Sequence, residues 1–260
     1  MRIRGRRAFG ISRGPVTGGG AGRATGRRVG PGVGAVVGAV VGLGAVGLLL
    51  AACAGAPASD RGDAALPADA PVVAFYGDSY TLGTGASAPE RRWSSIVAAD
   101  RGWVEFNPSV NVLGFVNNRD PGAGGPMPDL VDAIVAHEPA PDLVFVTMGL
   151  NDNFSMPSRG DDIRDAIDAD LERLSDELPK ARLIVVEPFW YTDERPASVE
   201  QIIAWVRAAA ERVDADWVPG ASHWIEGHPE WMADDGLHPN DDGYAEMARR
   251  MDVELRALGL

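Results

Sequence analysis

Residues 72–80 read VVAFYGDSY, and residues 143–152 read LVFVTMGLND. Each stretch is a short apolar run that ends in glycine and polar residues, a pattern typical of a buried strand entering a turn. Neither run alternates with polar residues, so both faces of each strand are predicted to be covered by other elements. The two stretches therefore predict strands inside an α/β sheet, with polar side chains placed where the strands end.

Predicted helices and strands alternate along the rest of residues 72–260. Apolar residues recur every three or four positions from Asp161 to Leu178, which indicates an amphipathic helix that ends before Pro179. Further strands are predicted at 103–106, 183–187 and 217–218. Further helices are predicted at 93–99, 130–135 and 241–258, and another helix is predicted to begin after Ser198 as its N-cap. Strands separated by helices form a mostly parallel sheet with helices on both of its faces.

Three polar clusters lie where such a sheet would bring them to one edge. GDSY at 77–80 follows the first strand, GLND at 149–152 follows the LVFVTM strand, and DGLH at 235–238 precedes the last helix. Taken singly, these clusters fit a helix cap, a turn and a structural histidine. Because ligands bind past the carboxyl ends of parallel strands, we expect the three clusters to form one site.

The residue types in these clusters match the needs of acyl transfer: a nucleophile, a base, a group that orients the base, and donors for an oxyanion. Ser79 supplies a hydroxyl, His238 can take its proton, and Asp235 can hold the imidazole ring. Asn151 can direct its side-chain NH₂ at the oxyanion. Asp234 competes with Asp235, but the Asp-x-x-His spacing favours Asp235. This chemistry requires neither a metal nor an organic cofactor.

In their order and strand context, the three blocks resemble those of the SGNH hydrolases of the GDSL family. The resemblance covers approximately residues 72–258. It implies a flavodoxin-like three-layer α/β/α sandwich around a short parallel sheet, and cleavage of carboxylic esters through an acyl-enzyme at Ser79. The Gly-x-Ser-x-Gly elbow of the other large α/β hydrolase class is absent. An O-acyltransferase of the cell envelope and a non-catalytic envelope lipoprotein remain alternatives, and the substrate is a small-molecule, glycan or lipid ester.

The family also draws an oxyanion N–H from a glycine after the second strand, and here this chain departs from the pattern. Residues 107–115 read NPSVNVLGF. By spacing, Val112 falls at the glycine position, whereas by identity Gly114 is the nearest match. We assign the oxyanion hole to Ser79, Gly114 and Asn151, and keep Val112 as the alternative because a backbone donor need not be glycine.

The N-terminal region differs from the rest of the chain in composition. Residues 1–52 contain eight arginines and no acidic residue, and residues 33–52 are uncharged and mostly apolar. This pattern is typical of a secretory signal, and the run LAAC that ends at Cys53 resembles the lipobox of bacterial lipoproteins. We therefore expect a signal peptide at 1–52, a lipidated Cys53 with a flexible tether at 53–71, and a hydrolase domain at 72–260. The domain would lie outside the cytoplasm, anchored to the membrane; an uncleaved membrane helix is the alternative.

The charge, the cysteine count and the histidine spacing argue against nucleic-acid binding, disulfides and a zinc site. Beyond residue 52 the chain has 16 basic and 37 acidic residues, which argues against nucleic-acid binding. Cys53 is the only cysteine, so no disulfide can form within the chain. His223 and His228 flank Trp224, but their spacing fits no zinc site, and we interpret them as loop histidines.

Overall fold

The computed structural model describes residues 66–119 and 129–260. The signal predicted at 1–52 and the lipidation predicted at Cys53 lie outside the described residues, as does most of the tether. Within the two described ranges, no helix combines the length and the apolar character needed to cross a membrane.

The described residues form a five-stranded sheet in which every strand pair is parallel. Its strands are β1 (Val72–Tyr76), β2 (Val104–Phe106), β3 (Leu143–Val146), β4 (Arg182–Val186) and β5 (Asp216–Val218). They are ordered β2-β1-β3-β4-β5, with Val73 opposite Leu143. Every residue of β1 and β3 is buried, as their continuous apolar sequences predict.

Helices cover both faces of this sheet. They are α1 (Ser79–Leu82), α2 (Trp93–Arg101), α3 (Leu130–Val135), α4 (Gly160–Glu177), α5 (Ala197–Arg212) and α6 (Asp241–Ala257). Val73 and Phe75 pack toward α2 and α6, whereas Ala74 and Tyr76 pack toward α3, α4 and α5. Successive strand residues point to opposite faces, so β1 alone contributes to both halves of the core. The three-layer α/β/α prediction is confirmed.

Helix α5 differs from its prediction at the N-terminus. It begins at Ala197, and Pro196 occupies the N-cap position without a side-chain hydrogen bond. The Ser198 hydroxyl instead donates to Asn153 Oδ1 at 2.5 Å. The prediction of Ser198 as the N-cap is therefore wrong, because a side chain after β3 offers this hydroxyl an acceptor that the local sequence does not reveal.

The strand order places the first two polar clusters side by side. The chain passes from β1 to β2 on one side of β1, and then to β3 on the other side. In open α/β sheets, such a reversal leaves a crevice at the carboxyl ends of the two central strands. Ser79 directly follows β1 and Asn151 follows β3, so both residues lie at this crevice.

Candidate active site

Ser79 is the first residue of α1, at the end of a tight turn from β1. The Asp78 side chain caps this helix by accepting the Tyr80 N–H at 3.0 Å. A Cβ on Gly77 would lie 2.5 Å from Thr147 Oγ1, so only glycine lets the turn pass this close to the end of β3. Ser79 is 5% exposed. The turn therefore holds the hydroxyl at the bottom of the crevice with limited access to solvent.

Asp235 and His238 form a pair within the loop before α6. Asp235 Oδ2 lies 2.6 Å from His238 Nδ1, and Asp235 Oδ1 accepts the backbone N–H groups of Leu237 and His238 at 2.9 Å each. The hydrogen bond from His238, followed by those from the backbone, lowers the pKa of Asp235 to about 2. An ionised carboxylate at Nδ1 keeps the proton on that nitrogen, which leaves Nε2 available as a base.

Two contacts join the Ser79 turn to the His238 loop. The Tyr80 hydroxyl donates to the Leu237 carbonyl oxygen at 2.7 Å, and the Tyr80 and His238 ring centroids are 6.0 Å apart. The Ser79 hydroxyl has no hydrogen-bond partner among the described residues. Catalytic hydrogen bonds are often long or poorly aligned before substrate binds, so the proximity of the two loops is the informative feature.

Asn151 links three loops at the edge of the sheet. Its buried Nδ2 donates to the Leu113 carbonyl oxygen at 2.9 Å and lies 3.3 Å from Asp78 Oδ2. These acceptors belong to the loops after β2 and β1, whereas Asn151 follows β3. The amide nitrogen is therefore held between the Ser79 turn and the loop from which a second oxyanion donor was predicted.

The Asp152 carboxylate holds the loop after β2 through backbone hydrogen bonds. It is fully buried and accepts the backbone N–H groups of Phe115 and Val116 at 2.8 Å and of Asn117 at 3.1 Å. Burial raises the pKa of Asp152, although these hydrogen bonds oppose the shift. A Cβ on Gly114 would lie 2.6 Å from both Asp152 carboxylate oxygens, so the glycine permits this close approach.

Gly114, which the sequence assigned to the oxyanion hole, has its backbone N–H engaged. This N–H donates to the Asn117 carbonyl oxygen at 3.0 Å. The N–H of Val112, by contrast, has no partner within the described ranges. Val112 is 53% exposed, and its carbonyl oxygen accepts from the side-chain amides of Asn117 and Asn118. Its φ of 60° lies in the left-handed region, which a β-branched residue rarely adopts.

Comparison with known proteins establishes the family. A family model described as the GDSL-like lipase/acylhydrolase family matches residues 75–246. This chain belongs to that family. The GDSL lipase Rv0518 of Mycobacterium tuberculosis is 30% identical over 188 residues, which span 69% of this chain and 79% of that protein. The chain is accordingly a carboxylic ester hydrolase of the GDSL type.

Solved structures share the fold. Est24, a carbohydrate acetylesterase from Sinorhizobium meliloti, has a TM-score of 0.57 at 18% identity, covering 72% of this chain and 99% of that one. The psychrotrophic esterase EstA from Pseudoalteromonas sp. has a TM-score of 0.54 at 16% identity, covering 72% of this chain and 97% of that one. At these identities the two structures support the GDSL-type sandwich and leave the substrate of this chain open.

Of the other three histidines in this GDSL-type domain, His137 Nδ1 lies 2.9 Å from the Pro139 carbonyl oxygen, and the other two pair with neighbouring carboxylates. His223 Nδ1 lies 2.6 Å from Glu226, and His228 Nδ1 lies 2.7 Å from Glu230. Across residues 66–119 and 129–260, no group of three or more His, Cys, Asp or Glu side chains is placed to hold a metal ion.

Tyr80 is a residue of the site to which the sequence alone gives no role. Its position beside Ser79 in the GDSY block was the only available signal, because the partner of its hydroxyl lies at the other end of the domain.

Proposed function

We propose that this chain hydrolyses carboxylic esters through an acyl-enzyme at Ser79, with His238 as the base and Asp235 as the group that orients it. The observation that carries the proposal is the 2.6 Å contact between Asp235 Oδ2 and His238 Nδ1, in a loop hydrogen-bonded to the residue after Ser79. Serine acylation requires a base whose free Nε2 can reach the serine hydroxyl, and the Tyr80–Leu237 hydrogen bond holds the two loops that carry these groups together.

The proposed reaction has two stages. Ser79 Oγ attacks the ester carbonyl carbon while its proton passes to His238 Nε2. The bond from that carbon to the alcohol oxygen then breaks, and His238 returns the proton to the departing alcohol. In the second stage a water molecule attacks the acyl-enzyme, His238 takes a proton from it, and the acid leaves as Ser79 regains its proton.

The negative charge on the carbonyl oxygen needs donors in both stages. The proposed donors are the N–H of Ser79, the N–H of Val112 and the side-chain NH₂ of Asn151, which exchanges its long 3.3 Å bond to Asp78 Oδ2 for the oxyanion. Ser79 is the first residue of α1, where backbone N–H groups have no helical partner. Val112 is favoured over Gly114 because its N–H is free among the described residues and because the neighbouring Leu113 carbonyl holds Asn151. Loss of one such donor typically lowers turnover by ~10²–10³.

The test is labelling of the full chain with a fluorophosphonate, which reacts with activated serines. We expect labelling and hydrolysis of p-nitrophenyl acetate in the parent, and loss of both in Ser79→Ala. The matched control is Ser175→Ala on α4, a serine whose side chain has no hydrogen bond to any described residue, and it should behave as the parent. Equal labelling of the parent and Ser79→Ala would overturn the assignment of the nucleophile.

We also propose that Cys53 is lipidated and anchors the domain outside the cytoplasm, on the strength of the basic and apolar segments and the LAAC run before the tether. Mass spectrometry of the protein from bacterial membranes tests this proposal. We expect a diacylglyceryl-type mass increase at an N-terminal Cys53, and its absence in Cys53→Ser. An unmodified Cys53 within an uncleaved N-terminus would show that the apolar segment is retained instead.

A further inference from the structure

A cavity of about 390 Å³ opens beside the loop that carries Asp235 and His238. Asp234 and Gly236, which flank Asp235 in sequence, form one wall. Tyr191 and Asp193, from the loop after β4, also line the cavity. Neither Ser79 nor His238 lines it. The volume lies within the range of about 300–1,000 Å³ usual for small-molecule sites.

The apolar surface of the cavity is held in place by aromatic contacts. Tyr191 is half-buried and packs against Trp190 with a centroid distance of 4.7 Å. On another side, the His228 ring stacks on Trp231 at 3.6 Å with an interplanar angle of 11°. A ligand in this cavity would therefore meet ring faces whose orientation is already fixed.

Two carboxylates, Asp193 and Asp234, supply acceptors to the cavity, beside the Tyr191 hydroxyl and the His228 ring. The Asp234 carboxylate has no partner among the described residues. Asp193 Oδ1 accepts the Gly227 N–H at 2.8 Å, and its second oxygen has no partner in the same ranges. No lysine or arginine lines the cavity. Because carboxylate oxygens only accept hydrogen bonds and no lysine or arginine lines the cavity, the favoured ligand donates hydrogen bonds and is not an anion.

The proposed reaction indicates which part of an ester would lie here. His238 returns a proton to the departing alcohol, so the alcohol portion of the substrate lies on the His238 side of the reacting carbon. The oxyanion donors Asn151 and Val112 lie in other loops. Because the cavity is lined by residues flanking Asp235 and by none from the Asn151 and Val112 loops, we assign it to the alcohol rather than to the carbonyl oxygen.

We propose that this cavity binds the alcohol portion of the ester, and that this alcohol is a neutral polyhydroxylated ring such as a sugar. The C–H face of the ring packs on Tyr191, and its hydroxyl groups donate to Asp193 and Asp234. Placement of the alcohol rests on the proposed function, whereas binding of the free ring does not require catalysis.

Binding is measured first on the full chain carrying Ser79→Ala, by saturation-transfer NMR with methyl glucoside, methyl galactoside and methyl mannoside. We expect saturable binding of at least one glycoside, weakened about fivefold or more by Tyr191→Ala and by Asp234→Asn, as the loss of one stacking or charge-assisted contact predicts. Asp176→Asn, which removes an exposed carboxylate on α4, is the matched control and should bind as the parent. Absence of binding by all three glycosides overturns the inference.

Two further ligands test the chemical class. 4-Methylcyclohexanol has a similar ring with one hydroxyl, and cyclohexylmethylamine carries a cation. Equal binding of 4-methylcyclohexanol would show that the cavity is only apolar, and tighter binding of the amine would make it a cation site. Either result contradicts a polyhydroxylated ligand.

Kinetics of the catalytically intact chain then connect the cavity to the reaction. We expect Tyr191→Ala to lower kcat/KM for an acetylated methyl glycoside about tenfold more than kcat/KM for ethyl acetate. An equal loss on both esters would assign Tyr191 to general structure instead. A parent that binds glycosides but resists the fluorophosphonate would refute only the proposed mechanism, whereas a labelled parent that binds no glycoside would refute only this inference.

Discussion

The Tyr80 hydroxyl donates a hydrogen bond of 2.7 Å to the carbonyl oxygen of Leu237, 157 positions further along the chain. Tyr80 follows the proposed nucleophile, Ser79, and Leu237 precedes the proposed base, His238. The bond therefore controls the distance between two loops that come from opposite ends of the domain. Since Tyr80 is 1% exposed, water cannot readily replace its hydroxyl as a partner for this carbonyl.

Tyr80→Phe is expected to lower kcat by about tenfold with a small change in KM, because a small displacement of the base costs rate more than binding. The lost hydrogen bond should also lower the free energy of unfolding by about 1–3 kcal/mol. Steady-state ester hydrolysis and urea unfolding measure the two effects. The control is Tyr244→Phe, which removes a 2.7 Å bond to the Thr84 carbonyl but leaves the His238 loop untouched. Equal losses of kcat in the two variants would argue against a specific role for Tyr80.

Asp235→Asn is expected to reduce kcat by about 10³–10⁴, because an amide at this position no longer holds the proton on His238 Nδ1 and favours the wrong tautomer. Asp234→Asn tests the competing acid. Of these two acids, Asp235 contacts the ring, so Asp234→Asn should lower kcat for p-nitrophenyl acetate far less than Asp235→Asn does. The reverse ranking of the two variants would reassign the orienting carboxylate.

Val112→Gly is expected to raise the free energy of unfolding by about 1 kcal/mol. Relief of backbone strain at φ 60° gains ~1–3 kcal/mol, of which the greater chain entropy of glycine offsets ~0.5–1 kcal/mol. Fluorophosphonate labelling should persist at a similar rate, since the proposed donor is the backbone N–H. The same substitution at Val110, whose φ is not positive, should instead destabilise the fold. A large loss of labelling in Val112→Gly would mean that the valine side chain itself is required.

Asp78 should make the stability of the protein depend on pH. Burial raises the pKa of Asp78 from 3.8 to about 7, so between these values the folded chain binds more protons than the unfolded chain. This group therefore lowers the free energy of unfolding as pH rises from about 4 to about 7. Asp78→Asn keeps a helix-capping oxygen but does not titrate, so its stability relative to the parent should increase across this window.

Urea unfolding at several pH values between 4 and 8 measures this difference. Asp176→Asn, at an exposed position on α4, is the control for loss of a carboxylate and should show a constant difference from the parent. A constant difference for Asp78→Asn as well would show that Asp78 does not titrate in this range.

Much of the architecture was determined by the sequence itself. The apolar runs at 72–76 and 143–146 predicted strands buried on both faces, and the helical periodicity of α4 was equally local. The pairing of Asp235 with His238 was also predictable, because a spacing of three positions within one loop brings the carboxylate to the imidazole. These features depend on neighbours in sequence, where periodicity and spacing carry the information.

The tertiary structure decided the contacts between distant segments. Within the described residues, it paired the Gly114 N–H with the Asn117 carbonyl oxygen, left the Val112 N–H without a partner at a φ of 60°, and placed the Ser198 hydroxyl beside Asn153 Oδ1. It also brought Tyr80 to Leu237 and formed the cavity beside Asp234. A backbone or side-chain polar group bonds to whichever partner packing brings within about 3 Å, so its partner is settled only when the loops at the edge of the sheet are assembled.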